Sequence, residues 1–199
     1  MVFYFNAGDD FANGTFGWGV DDVAVHTFPL GADPDCDGDD ELDECEIAGD
    51  PSLDWNGNGV LDVCECLAET SCIGEPNSVG NGGRLGAVGL PSLSSNTFHL
   101  LADDIVPGEF ALFFYGFAPL SPTPFGEGLL CVEAPFERLN PALPIDPAGQ
   151  VSRWVDFTQP PTDTFAAGDV IFFQCWYRDP CTGCTGFNLT HAMRVVLCL

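Results

Sequence analysis

Two stretches of twelve residues carry the strongest chemical signal in this sequence. Asp35-Cys36-Asp37-Gly38-Asp39-Asp40-Glu41-Leu42-Asp43-Glu44-Cys45-Glu46 is matched nineteen residues later by Asp54-Trp55-Asn56-Gly57-Asn58-Gly59-Val60-Leu61-Asp62-Val63-Cys64-Glu65. Oxygen-bearing side chains occupy positions 1, 3, 5, 9 and 12 of both strings. Calcium is a hard cation that takes about six to eight oxygen ligands at roughly 2.3–2.6 Å. Alternate side chains, a backbone carbonyl at position 7 and a bidentate Glu at position 12 supply such a shell. The predicted ligands of about two Ca2+ ions are Asp35, Asp37, Asp39, Glu41, Asp43 and Glu46 in loop one. In loop two they are Asp54, Asn56, Asn58, Val60, Asp62 and Glu65, with Glu41 and Val60 acting through their carbonyls. Leu42 and Leu61, both at position 8, are expected to anchor the loops in a shared apolar contact. A second frame starts loop one at Asp33 and restores Gly38 to position 6, but it places Asp40 at the apolar position and loses the match to loop two. A solvated acidic linker is the plain alternative, and it gives no reason for Leu, Cys and Gly to recur at matched offsets. Carboxylates this close repel one another without a cation. The ion is therefore expected to fold the segment and stiffen the join between its neighbours.

Other candidate chemistry is sparser. Ten cysteines, among them Cys181-Thr182-Gly183-Cys184, suit an oxidising compartment and structural disulfides better than zinc or redox chemistry. Cys45 with Cys64 and Cys72 with Cys198 are the expected pairs, although connectivity does not follow from sequence. His26, His99 and His191 are scattered singly, and no HExxH, GxSxG, phosphate-binding or dinucleotide motif is present. Acids are too abundant for any one pair to mark a glycosidase. No enzymatic activity is expected. Trp154, Trp176 and Tyr177 could make a sugar-stacking platform, or could simply be core. Asn13-Gly14-Thr15 and Asn188-Leu189-Thr190 match glycosylation acceptors.

The elements that must hold these residues are read from pattern and charge. The chain has 199 residues, thirty Asp and Glu, five Arg and no Lys, for a formal charge of −25. A nucleic-acid partner needs a basic face, which this composition excludes. No window is long and apolar enough to span a membrane as a helix. The hydrophobic fraction of 46% supports a packed core. Thirteen of the acids fall within residues 31–66, so the chain divides into 1–30, an acidic 31–70 and a large 71–199. In the first piece, Val2-Phe3-Tyr4-Phe5 and Trp18–Val25 read as two strands separated by turn residues. They need a partner sheet, because two strands alone are marginal in water. The first residues lack the basic start and apolar run of a signal peptide, so a processed chain, or one whose beginning lies elsewhere, is expected. In the third piece, β runs are predicted at 84–89, 97–103, 109–116, 129–133, 151–157, 169–178 and 191–198, with a weaker one at 136–139. Such spacing between Pro-Gly-Ser-Asn breaks predicts an all-β fold, a β-sandwich, which a resemblance given below makes jelly-roll-like. The run Ile171–Tyr177 is apolar on both faces, as a central strand would be. Only Glu41–Ala48 could make a turn or two of helix.

Three resemblances add to this reading. The tandem strings resemble thrombospondin type 3 repeats and the loops of dockerin and EF-hand modules, with the Cys at position 11 a thrombospondin-like feature. Loop one departs at Asp40, where Gly is usual, and loop two departs at Asn56 and Asn58, which lowers its charge and its expected affinity. The long helices that flank an EF-hand loop are missing, so a sensor that opens on binding is not expected. Gly17–Val25 resembles the closing strand of jelly-roll domains of secreted bacterial proteins. Cys72–Gly82, Leu112–Gly116, Pro124–Gly126, Trp176–Pro180 and Gly186–Leu189 together resemble a C-terminal domain of secreted planctomycete-type bacterial proteins, which implies secretion and a β-sandwich but no activity.

The expected function is a secreted, calcium-stabilised structural protein. It would be a subunit of an extracellular fibre or surface assembly, self-assembling into a homo-oligomer or filament as residues 1–30 complete a neighbour's sheet. The alternative is a carbohydrate-binding or adhesive module of a larger secreted protein, with a glycan partner; a hydrolase comes third.

Overall fold

The computed structural model describes residues 35–37, 39–180 and 185–198. The predicted strand pair within 1–30, with its jelly-roll resemblance, and the Cys181–Cys184 motif lie outside the described residues.

Short runs of β-branched and aromatic residues between turn-forming clusters form strands because a pleated surface packs such side chains well. Among the described residues the strands are β1 (Ala68–Cys72), β2 (Arg84–Val88), β3 (His99–Asp103), β4 (Phe110–Gly116), β5 (Pro119–Phe125), β6 (Gly128–Val132), β7 (Glu137–Pro144), β8 (Val151–Trp154), β9 (Val170–Arg178) and β10 (Phe187–Val196). One short helix, α1 (Asp43–Gly49), and two 3-10 turns, Pro51–Leu53 and Asp62–Cys64, precede them. The helix falls where the sequence allowed one.

The fold is an all-β sandwich. A five-stranded sheet has the order β1-β10-β9-β4-β7 and a three-stranded sheet the order β2-β3-β8, with β5 and β6 forming a separate hairpin. All of these strand pairs are antiparallel. The main core lies between the two larger sheets. Ile171, Phe173, Cys175 and Tyr177 of β9 pack there with Leu85, Leu100, Ala102 and Val151 of the smaller sheet. A second apolar cluster lies on the other face of β9, where Phe172 and Trp176 meet Val132, Leu130, Leu189 and Phe187 around the hairpin. Both faces of β9 are thus covered, as its apolar run predicts. Each large side chain buried here contributes about 1.5–3 kcal/mol. Along 151–157, Val151, Val155 and Phe157 turn inward while Ser152 and Trp154 face out, the expected alternation.

One polar residue fixes the hairpin to the sheet. Gln174 is fully buried in β9. Its Oε1 accepts from the Cys131 N–H (3.1 Å), and its Nε2 donates to the carbonyls of Leu129 (2.7 Å) and Thr190 (2.9 Å). The side-chain amide therefore substitutes for ladder bonds where β6 crosses the sheet.

Two strands escape the sequence reading. β5 contains Pro119, Pro122 and Pro124, and proline clusters were expected to be breaks. It pairs only with β6, so its missing N–H groups cost the ladder little. β1 is short and polar because it forms the edge of the large sheet, beside β10. No described helix is long and apolar enough to cross a membrane.

Candidate metal centre

The short side chains of Asp and Asn bond to backbone N–H groups just ahead of them and so curl the chain around their own oxygens. In loop one, the Asp35 carboxylate accepts from the N–H groups of Asp39 (3.1 Å) and Asp40 (3.2 Å). The Asp39 N–H also reaches Asp37 Oδ1 (3.3 Å), the Glu41 N–H donates to Asp39 Oδ1 (2.8 Å), and the Cys36 N–H donates to Asp43 Oδ1 (2.9 Å).

Loop two repeats this set at the same offset. The Asp54 carboxylate accepts from Asn58 (3.0 Å) and Gly59 (2.8 Å). Asn56 Oδ1 accepts from the Asn58 N–H (3.0 Å), Asn58 Oδ1 from the Val60 N–H (2.9 Å), and Asp62 Oδ1 from the Trp55 N–H (3.1 Å). The position 8 carbonyls match as well, Leu42 accepting from the Cys45 N–H (2.7 Å) and Leu61 from the Cys64 N–H (3.0 Å). At position 6 the backbone is left-handed in both loops, with φ of 74° at Asp40 and 85° at Gly59. Glycine adopts that conformation freely, and Asp is among the few other residues that tolerate it.

The result in loop one is a concave row of oxygens. One carboxylate oxygen from each of Asp35, Asp37 and Asp39 lies within 4.8 Å of the others. Two ligands of one calcium, each about 2.3–2.6 Å from it, stand at most roughly 5 Å apart, so the spacing fits a single ion. Glu46, from α1, lies near enough to feel the charge of this group but is not part of the three-carboxylate cluster. Its Oε2 is buried, and no hydrogen-bond donor among the described residues reaches it. Burial raises its pKa, and the neighbouring charges of Asp37, Asp39, Asp43 and Glu41 raise it further. In loop two the position 12 residue turns to the same place: Glu65 accepts from the side-chain amides of Asn58 (2.5 Å) and Asn56 (3.1 Å). These donor sets are all oxygen, the chemistry of calcium or magnesium rather than of zinc. Cys36 and Cys64 also stand beside Asp43, but they are joined to each other and offer no thiolate.

Position 9 does more structural work than its place in the predicted ligand set suggests. Asp43 and Asp62 are both buried, and each spends Oδ1 on closing its loop. Asp62 Oδ2 is ion-paired to Arg194 of β10. Arg194 also reaches Glu69 Oε1 (3.2 Å) and lies over the Trp55 ring at 5.1 Å. Loop two is thereby fastened to the large sheet. Sequence reasoning missed Arg194; its signal was a lone cation inside the apolar run Met193-Arg194-Val195, which demands a buried acid as partner. Leu61, at position 8, is buried, while Leu42 is half-buried.

Neither expected disulfide forms. Cys64 pairs with Cys36, at position 2 of loop one, and Cys45 on α1 is exposed and free. Cys198 pairs with Cys66, immediately after loop two, and Cys72 pairs with Cys131, joining β1 to β6. These partners come together only through the sheet order and the docking of the loops, which spacing along the chain does not encode. Cys175 is a free thiol in the main core, where burial raises its pKa.

The three aromatic residues considered for sugar stacking do not share a surface. Tyr177 is fully buried, its hydroxyl accepting from Asn77 Nδ2 (3.0 Å), and burial pushes its pKa up to about 12. Trp176 packs against the hairpin cluster. Trp154 is exposed, stacks on His99 at 6.4 Å and donates its indole N–H to the Asn96 carbonyl. His191 accepts from the Gly74 N–H (3.1 Å), a packing role. Asn188 is fully buried and donates to the Pro76 carbonyl, so the folded chain does not present it for glycosylation. Asn13 and His26 lie outside the described residues.

No protein-family model, curated protein or solved structure matches this chain.

Proposed function

We propose that residues 35–65 bind two calcium ions and that the chain is a calcium-stabilised structural protein of an extracellular fibre or surface assembly. The observation that carries the calcium reading is the hydrogen-bond pattern repeated in both loops, which turns side-chain oxygens inward without a countercharge among them in loop one. An ion neutralises those carboxylates and fixes the loops against the sandwich. Its tightest site is loop one, where every side-chain ligand is a carboxylate. Three disulfides support an oxidising, extracellular setting. The assembly reading draws on the strand-like, aromatic sequence of residues 1–30, which would complete the sheet of a neighbouring copy.

Calorimetric titration of chelator-treated protein tests the metal. Two sites are expected, with affinities in the range of extracellular modules, about 10⁻⁴–10⁻³ M. Asp37→Asn weakens one site and Glu65→Gln the other. Absence of binding at millimolar calcium overturns the reading. Sizing with calcium and with chelator tests assembly separately, and a strict monomer in both sinks that part while leaving the metal sites standing. A carbohydrate-binding role draws on the exposed Trp154 stacked on His99; glycan binding that is lost in Trp154→Ala supports it, and absence of glycan binding by the unaltered chain removes it.

A further inference from the structure

The five arginines are the whole basic complement of a chain with thirty acids. Four have partners that hold them. Arg84 pairs with Asp103 (2.8 Å) and Asp104 (3.0 Å), Arg178 with Glu109 (3.6 Å), and Arg194 with Asp62 and Glu69. Arg153 donates to the carbonyls of Leu139 and Asn140. Arg138 differs: among the described residues no carboxylate or carbonyl binds its guanidinium.

Its position explains why this matters. Arg138 lies in β7 directly opposite Phe114 of β4, so the two side chains rise from the same face of the large sheet. On that face the sheet and the β5–β6 hairpin enclose a cavity of about 410 Å³. Phe114, Leu130, Trp176 and Phe187 are among its walls, and Arg138 is its one charged lining residue. Phe125 and Phe136, also in the lining, are 47% and 37% exposed, which leaves apolar rings at the mouth. Small-molecule sites occupy roughly 300–1,000 Å³, are mainly apolar and hold a few polar groups that orient the ligand.

We propose that this cavity binds a small amphipathic carboxylate, its acyl or aromatic body among the rings and its carboxylate on Arg138. Charge supports that choice of ligand. A surface with a formal charge of −25 repels anions almost everywhere, so an unpaired guanidinium at an apolar opening is a local attractor for them. The planar fork of Arg donates two parallel hydrogen bonds to a carboxylate, an orientation a neutral head group cannot match. The site lies on the sandwich and uses none of the oxygens of the acidic loops, so it stands or falls independently of calcium.

Octanoate and its neutral twin octanol are the probes, titrated into the full oxidised chain at pH 8 and followed by the indole resonance of Trp176. Octanoate is expected to saturate and to shift that resonance. Arg138→Gln, at an exposed position that leaves the core intact, is expected to weaken octanoate at least about tenfold and octanol less than about twofold. Failure of octanoate to shift the Trp176 resonance at millimolar concentration overturns the proposal. Equal losses for the two ligands in Arg138→Gln overturn it as well.

Discussion

Replacing Arg194 with Met probes the attachment of loop two to the sandwich. The side chains of Arg194 and Asp62 are 6% and 7% exposed, so their pairing lies almost wholly out of water. Removing one member of such a pair leaves a buried, uncompensated charge, which costs about 3–5 kcal/mol. A comparable pair on the surface contributes only about 0–1 kcal/mol. Arg194→Met also removes the contact with Glu69 and the stacking on Trp55, so the loss is expected near the upper half of the buried range. Asp62→Asn in the same chain should restore much of it. The amide keeps Oδ1 available for the Trp55 N–H while the stranded charge is gone. Urea unfolding at fixed calcium with the disulfides intact measures both variants, and an unchanged m-value licenses the comparison. A loss below about 1 kcal/mol in the single variant, or a double variant no more stable than the single, would refute the buried-charge account.

Asp40→Gly places a residue with no Cβ at a left-handed position and removes one of the crowded charges. It is expected to stabilise the ion-free protein by about 1 kcal/mol in the same unfolding assay, and a loss instead would mean the Asp40 side chain is itself needed. Gln174→Leu orphans the Cys131 N–H and the carbonyls of Leu129 and Thr190, each at a cost of about 1–3 kcal/mol. Chemical denaturation should therefore register a loss of several kcal/mol, and hydrogen exchange should quicken first in β6. Asp156 accepts from Asn96 and Thr158, bonds that hold its pKa below the ordinary 3.8. Its contribution is present above that ordinary value and is lost as the pH falls through the lower folded-state pKa. Asp156→Asn should consequently flatten this part of the acid limb in a stability-against-pH series.

The sequence made some of this plain and concealed the rest for identifiable reasons. The two faces of β9 were legible because six of the seven residues Ile171–Tyr177 are aliphatic, aromatic or Cys, which leaves no side for water. The loop oxygens were legible because their bonds are local, spanning two to seven residues in most cases. What remained hidden depends on distant partners. Arg194 and Asp62 are 132 positions apart, as are Cys66 and Cys198. The Pro-rich β5 is hidden because its pairing on one side only cannot be seen from composition. Trp154 and Trp176 are the same residue type in predicted strands, yet one faces water and the other a hairpin, and only the sheet order separates them.

The bridge between Cys66 and Cys198 closes residues 66–198 into a covalent ring that contains every strand of the sandwich. Tension entering upstream of that ring and leaving beyond it travels through the sulfur–sulfur bond, so the β-ladders carry none of the load. Just upstream, the Cys36–Cys64 bridge passes the same pull around residues 37–63, so neither the acidic loops nor the ladders lie in series with the force. From Cys36 to Cys198 the protein then behaves as an inextensible bead strung on two sulfur–sulfur bonds.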